Sequence, residues 1–364
     1  MRGAQSLIPQ PPRRLLLLAG GGHSHALLLR MWAMRPALRP TATAITLVSR
    51  SGSCLYSGMV PALVAGLYDR RSCAIDLRWL CSAVGVRFVQ AEITGLDPHG
   101  RSLQLEGRPP LGYDLLSLDV GAITRRPEAD GGAAMAVKPL EPFLHWCEKR
   151  PIGQPLTIRG GGAAAVELAL ALRARGHRCS LLLRGEQLQL GSAAANRAGE
   201  KLLQRAGVSL QRRVAPEVEA DLLCTGSRAP LWLAEAGLPV DQPTGRVLTG
   251  ADLRVEGWAD LLASGDCALV AGAPRPPSGV WAVRAAPLLA TNLQRLLDQP
   301  GRPMRRWRPQ RRALQLLADG SGAAAADRSR PSALALWGPL ALGPHPWIWW
   351  LKDRIDRRFM ERLG

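Results

Sequence analysis

The chain carries a recurring pattern: a short, wholly apolar run, a glycine cluster, then an apolar segment at helical spacing. Residues 15–19 (LLLLA) are the first run, Gly20, Gly21 and Gly22 the cluster, and 26–34 the segment that follows. They predict a buried strand, a tight turn and a helix that stops before Pro36 and Pro40. Residues 44–49 (AITLVS) alternate and are β-rich, so they read as the second strand of a βαβ unit. Strands are also predicted over 86–91, 102–105 and 113–121, the last a buried run (YDLLSLDVG) closing on Gly121. The pattern then returns. Residues 156–167 (LTIRGGGAAAVE) again read strand, glycine turn, helix, with the helix ending at Gly176 and a strand following over 178–183. A stretch at 220–227 (ADLLCTGS) closes on Gly226 as the earlier one closes on Gly121. Repetition in the same order is far more specific than either glycine motif alone.

Beyond the repeat, residues 261–268 (LLASGDCA) read as a short strand ending in Gly265-Asp266, and a helix is predicted from Ser278 to Leu297. The tail differs. Trp347, Leu351, Ile355, Phe359 and Leu363 recur every four residues with Lys and Arg between them, which predicts an amphipathic helix. Three readings compete for its apolar stripe: packing on the protein's own core, a homodimer face, or a membrane surface, which Trp347, Trp349 and Trp350 favour. Residues 1–12 read as a loose Pro/Gln-rich arm, and the Gly/Ala/Pro-rich stretch 125–139 as a hinge.

Composition changes this picture little. The 364 residues accommodate two to three domains of ordinary size, and 47% hydrophobic residues suffice for their cores. The net charge of +18 invites a nucleic-acid reading, but only four lysines contribute and no recognition motif accompanies the charge. Seven scattered cysteines, never spaced C-x-x-C, argue against a disulfide framework or a structural zinc site, and fit a cytoplasmic setting. No metal site is predicted. No apolar run approaches the ~18 residues needed to cross a bilayer.

The candidate chemistry lies at the glycine turns. A helix N-terminus with free N–H groups and a positive dipole end suits a diphosphate. Gly20 permits the turn, Gly22 the close approach of phosphates, and Gly21, His23 and Ser24 complete the cradle. The third position of G-x-G-x-x-G is His25. Ser49 and Arg50 stand where such folds place an acid for the ribose hydroxyls, leaving the Ser49 hydroxyl as substitute. The second turn, with Gly160 and Gly162, is the accepted G-x-G-x-x-A variant, and Arg184 ends the strand after it, where a cation favours the 2′-phosphate of NADP over NAD. Residues 54–61 (CLYSGMVP), with Tyr56, Ser57 and Gly58, read equally as a ligand-binding stretch or as a turn into a helix. Asp266 can accept hydrogen bonds from a polyol such as flavin ribitol, or cap a turn. Val280 and Trp281 open a helix whose N-terminus suits negative charge on the N1–C2=O side of a reduced flavin.

On 20–25 (GGGHSH), 55–59 (LYSGM) with Pro61, 75–77 (IDL), 113–119, 137–139 (VKP), 160–167, 264–266 (SGD), 279–284 (GVWAVR) and 352–360 (KDRIDRRFM), the chain resembles the FAD-dependent pyridine nucleotide-disulphide oxidoreductases. Within them it is most similar to the type II NADH dehydrogenase-like branch found fused to selenide, water dikinase. The resemblance implies an α/β protein with two Rossmann-like, doubly wound, three-layer dinucleotide-binding domains. An FAD domain over 13–125 and 255–300 would be interrupted by an NAD(P)H domain over 126–254, with the C-terminal region over 301–364. It implies FAD diphosphate at Gly20–Gly22, Asp266 on the ribitol, and the nicotinamide dinucleotide at Gly160, Gly162 and Glu167. Hydride would pass from NAD(P)H to the flavin and on to a small-molecule acceptor, a quinone among the candidates, in the cytoplasm or peripherally at a membrane. The paired redox cysteines of disulphide reductases are missing. The Gln-containing stretch near the quinone of type II dehydrogenases is replaced here by 282–287 (AVRAAP). Two alternatives stand beside this reading: a catalytically degenerate flavin-fold protein with an interaction role, and an accessory reductase linked to selenium metabolism.

Overall fold

The computed structural model describes residues 14–128, 131–322 and 329–363; the expected N-terminal arm lies outside them. The strands that matter are β1 (Arg14–Ala19), β2 (Thr43–Ser49), β3 (Arg87–Gln90), β4 (Leu115–Leu118), β5 (Met135–Ala136), β6 (Pro155–Arg159), β7 (Arg178–Leu182), β8 (Ser209–Gln211), β9 (Leu222–Leu223) and β10 (Leu261–Ala263). The helices are α1 (His23–Met34), α2 (Val60–Ala65), α3 (Ala163–Ala174), α4 (Gly279–Asp298) and α5 (Pro346–Glu361).

Two five-stranded sheets, wholly parallel, organise the chain, in the orders β10-β4-β1-β2-β3 and β5-β9-β6-β7-β8. In each, the strand bearing the glycine turn is central, its βαβ partner lies on one side and the glycine-closing strand on the other. Strand order therefore reverses beside each glycine turn, which opens a crevice at the carboxyl ends of the strands. The β1 sequence explains its place. Leu16 and Leu18 face one core with Leu28, Leu29 and Trp32 of α1 and Leu289 and Leu293 of α4. Leu17 and Ala19 face the other, with Val48, Leu103 and Leu118. A strand buried on both faces reads as an unbroken apolar run rather than an alternating one.

The chain passes between the sheets twice, and an antiparallel ribbon of Ile123–Thr124 against Ser227–Arg228 marks the crossing. Ala229, Leu233, Leu238 and Val247 then pack in the first sheet's core. Residues 229–254, grouped with the second unit in the sequence reading, thus lie against the first sheet. A three-stranded antiparallel sheet (Gln315–Ala318, Ala333–Trp337, Leu340–His345) and α5 close the C-terminus over α2 and α3, with Leu317, Leu334 and Leu336 joining the second sheet's core.

Only part of the stripe that the periodicity predicts points inward: Leu363 is buried and Phe359 packs on the core, but the most buried face of α5 is a different one. Ile348, Lys352 and Asp356 are buried, whereas Trp347, Trp350 and Ile355 are exposed. The reason is electrostatic. Lys352 and Asp356 pair at 2.6 Å one turn apart, and the ammonium also donates to the Gly58 carbonyl at 2.7 Å. A neutralised, hydrogen-bonded pair can enter an interior that a lone charge cannot. No helix among the described residues is long and apolar enough to cross a membrane.

Candidate functional site

The first glycine turn crosses over the end of β4. Gly20 sits at φ +95°, and a Cβ there would overlap the backbone of Asp119 and Val120. Its N–H donates to the Val48 carbonyl at 2.8 Å, and the Gly22 N–H to the Asp119 carbonyl at 3.2 Å. A side chain at Gly21 would meet Leu77, and one at Gly22 the Asp119 carboxyl group. Glycine is thus required at Gly20 by backbone conformation and by main-chain packing, while at Gly21 and Gly22 any side chain would have to displace Leu77 or the Asp119 carboxyl group.

His25 explains its own departure from the glycine pattern. The ring is fully buried, with Nδ1 2.7 Å from the Gly20 carbonyl and Nε2 2.8 Å from the Ser117 hydroxyl. A carbonyl only accepts, so Nδ1–H donates to Gly20 and Nε2 accepts from Ser117. Burial pulls the imidazole down to about 4, which keeps it neutral. His25 therefore braces the turn from behind and does not face a ligand. Ser24 does similar work, its hydroxyl donating to the Ala282 carbonyl of α4 at 3.1 Å. Ser117→Ala should leave the His25 nitrogen unsatisfied and cost about 1–3 kcal/mol; denaturant melts of the two proteins check this.

A cleft of about 430 Å³ opens in front of the turn, lined by Gly20, Gly21, Gly22, His23, Ser49, Arg50, Ser57, Gly121 and Asp266 among the expected residues. It also brings in Glu92, Asp119 and Lys138, which the sequence reading did not single out. Lys138 donates to Asp266 at 2.6 Å. Burial alone would raise the Asp266 carboxyl, but the Lys138 ammonium outweighs it and holds the group below its ordinary value. Arg50 pairs with Glu92 at 3.1 Å, so an acid does stand beside the end of β2, contributed by the segment that follows the neighbouring strand β3. His23 packs edge-on against Tyr56, ring centroids 5.6 Å apart, and Tyr56 against Phe359 of α5 at 4.4 Å. The His23 Nε2 is sealed from solvent and has no hydrogen-bond partner, and burial pulls the ring down to about 4. His23 thus carries an unsatisfied buried nitrogen in a residue that lines the cleft.

The other expected residues lie elsewhere. Gly160 (φ +150°), Gly162 and Gly226 lie at the second sheet's turns, where a Cβ on Gly160 would approach the Cys224 carbonyl. Arg184 is exposed beyond β7. Glu167 points away from the turn at Gly160. It accepts from the Ala318 N–H at 2.9 Å, and burial pushes its carboxyl up to about 7 against the pull of nearby Lys352. The Gly58 carbonyl takes Lys352, so this stretch is held by α5. Val280 and Trp281 open α4 behind Gly279 and Ala282, which do reach the cleft; Trp281 faces away from it, toward Arg246. Gly265 abuts Asp119 rather than the open cleft. Cys54 lines the cleft with no second thiol beside it, and burial pushes it up to about 12. All seven cysteines are free, and no cluster of metal-ligating side chains occurs among the described residues.

Of the residues the sequence reading missed, Lys138 carried the clearest signal, as one of four lysines in an arginine-rich chain. Asp119 was visible as a charge closing an apolar strand.

No protein-family model matches the chain. Over 181 residues it is 28% identical to the ferredoxin–NAD(+) reductase component of the biphenyl dioxygenase system of Paraburkholderia xenovorans, covering 46% of this chain and 44% of that protein. The match thus spans less than half of that curated relative. Among solved structures, the sulfide:quinone oxidoreductase of Aquifex aeolicus superposes with TM-score 0.69 at 14% identity, over 96% of this chain and 91% of that one. A ferredoxin reductase from Rhodopseudomonas palustris superposes with TM-score 0.65 at 17% identity, over 84% and 82%. The fold is the one these two solved oxidoreductases share.

Proposed function

We propose that the chain is an FAD-dependent NAD(P)H oxidoreductase that passes electrons to a small acceptor without a protein dithiol. The observation that carries this reading is the first cradle. Three glycines packed against Asp119, Leu77 and Ser49 open an α-helix onto a cleft lined by Asp266, Lys138 and His23. The residues fit the group. Gly20, Gly21 and Gly22 would hold the diphosphate, Asp266 the ribitol hydroxyls, Glu92 with Arg50 the adenosine ribose, and Ser57 with the α4 N-terminus the ring end. Bound there, FAD supplies hydride acceptance from NAD(P)H, chemistry that belongs to the cofactor.

The chain's own part is binding, orientation and charge. Lys138 sets a cation against Asp266, and the Ser278 hydroxyl caps α4 by accepting from the Val280 N–H at 3.4 Å. The dipole of α4 favours negative charge at its N-terminal end. Tyr56 and Phe359 wall off His23 and exclude water from that side. The second turn at Gly160 and Gly162 is the proposed seat of NAD(P)H, with exposed Arg184 suited to a 2′-phosphate. In this reading that unit is inserted within the FAD unit over 126–228, since residues 229–254 pack on the first sheet. The acceptor belongs to the class served by the neighbours, small redox proteins or a quinone. The exposed Trp347, Trp350 and Ile355 support a peripheral membrane approach. The protein should purify yellow and bleach under anaerobic titration with NADH or NADPH; bound flavin that neither nucleotide bleaches would reject the reductase reading.

A further inference from the structure

We propose that the first glycine cradle binds a dinucleotide diphosphate with uptake of one proton, carried by the carboxyl group of Asp119. This rests on the reading of that cradle as the FAD site. Asp119 follows β4, is 2% exposed and lines the cleft. Its carboxylate already occupies the positive end of α1. Oδ2 accepts from the His25 N–H at 3.0 Å, and the Ser24 N–H also points at the group. An incoming phosphate oxygen seeks the same helix end. The carboxylate sits close against Gly22 and Gly265, where a Cβ on either would overlap its oxygens, and its hydrogen bond from the His25 N–H holds it there.

The charges around it do not help. Among the described residues no cation pairs with Asp119. Lys138, just past β5 of the second sheet, is committed to Asp266. His23 and His25 of α1 are held neutral by burial. Cys54, half-buried on the strand Ser53–Leu55, and Cys267, buried beside Asp266, are thiols whose surroundings hold them protonated, and Asp266 itself is a like charge. A diphosphate would therefore meet an unpaired buried carboxylate at contact range. The arrangement becomes favourable if the carboxylate takes a proton from solvent: the repulsion disappears and an O–H donor appears where a phosphate oxygen can accept. Burial already pushes this carboxyl up to about 7, so the proton is close at hand at neutral pH. Above pH 7 the free site must bind that proton with the ligand, and affinity should fall by up to tenfold per pH unit.

The test is calorimetric titration of FAD into the full chain freed of flavin, at pH 8.5 in two buffers of different ionisation heat. The expected result is uptake approaching one proton per FAD, shrinking toward zero at pH 6. Asp119→Asn keeps an oxygen for the His25 N–H and offers an N–H to the phosphate. It should bind FAD with no uptake and with affinity at pH 8.5 at least tenfold above wild type. FAD binding by wild type without buffer-dependent heat overturns the inference and leaves the FAD reading intact. Uptake unchanged in Asp119→Asn, with affinity lowered equally at every pH, assigns Asp119 a merely structural cap and overturns it as well. Absence of any FAD binding overturns both. The wild-type titration decides the matter even if the variant does not fold.

Discussion

Gly20→Ala should give protein that carries no flavin and melts early. Two costs coincide at this residue. A left-handed backbone at φ +95° costs a non-glycine residue about 1–2 kcal/mol. The added Cβ also overlaps the Asp119 carbonyl and the Val120 Cα, which are main-chain atoms pinned in place. The Asp119 N–H donates to the Ala19 carbonyl at 2.8 Å, and its own carbonyl takes the Gly22 N–H. Relief therefore requires β4 to part from β1 or the turn to open, and either movement destroys the cradle. Gly66→Ala is the control. Gly66 has a similar φ of +90° but nothing within 4 Å of a built Cβ, so it should show the backbone cost alone and keep its flavin. Flavin absorbance per protein and a thermal melt separate the two. Equal flavin content in both variants would show that the first turn does not hold the cofactor.

What the sequence made legible follows from how local each signal is. Two apolar runs ending in glycine clusters, each with a later strand closing on glycine, are patterns within some ten residues, and both sheets form around them. The residues that finish the cleft were harder to see because they arrive from distant strands. Glu92 stands beside Arg50 only because β3 pairs with β2. Lys138 reaches Asp266 across 128 positions of sequence. Position in a motif also misled. His25 stands in the place of a cradle glycine yet points backward into the protein, because Ser117 and the Gly20 carbonyl satisfy both ring nitrogens. Glu167, one turn into the second helix, faces the C-terminal sheet instead of its own glycine turn. The α5 periodicity held only at Phe359 and Leu363, for a physical reason: hydrophobic pattern reports which face is apolar, and over the first turns an ion pair took the buried face.

That ion pair sets the second large effect. Lys352→Met should destabilise the protein by about 3–5 kcal/mol near pH 8, the cost of leaving buried carboxylates without their cation. Lys352 and Asp356 side chains are each 6% exposed, and Glu167 on α3 also faces the ammonium. Removing one positive charge strands two acids at the junction of α2, α3 and α5. The pH dependence has a definite sign. Folding raises the Glu167 carboxyl from its ordinary 4.5 to about 7, so between those values the folded chain binds more protons than the unfolded one. Stability from this group is present below 4.5 and is lost as pH rises toward 7. Glu167→Gln keeps an oxygen for the Ala318 N–H and removes the charge, so it should be at least as stable as wild type at pH 8, with the gain shrinking toward pH 5. In the double variant the glutamine should recover at least about 1 kcal/mol of the Lys352→Met loss, because the two sites are coupled. Urea melts at both pH values measure all four proteins; a Lys352→Met cost below about 1 kcal/mol would mean that the pair is solvated and holds nothing. If the large cost is found, it has a functional consequence. The ammonium's other partner is the Gly58 carbonyl, next to Ser57 on the cleft wall. Loss of the cation then loosens the stretch that shapes the ring end of the site, so flavin retention should fall in parallel with stability.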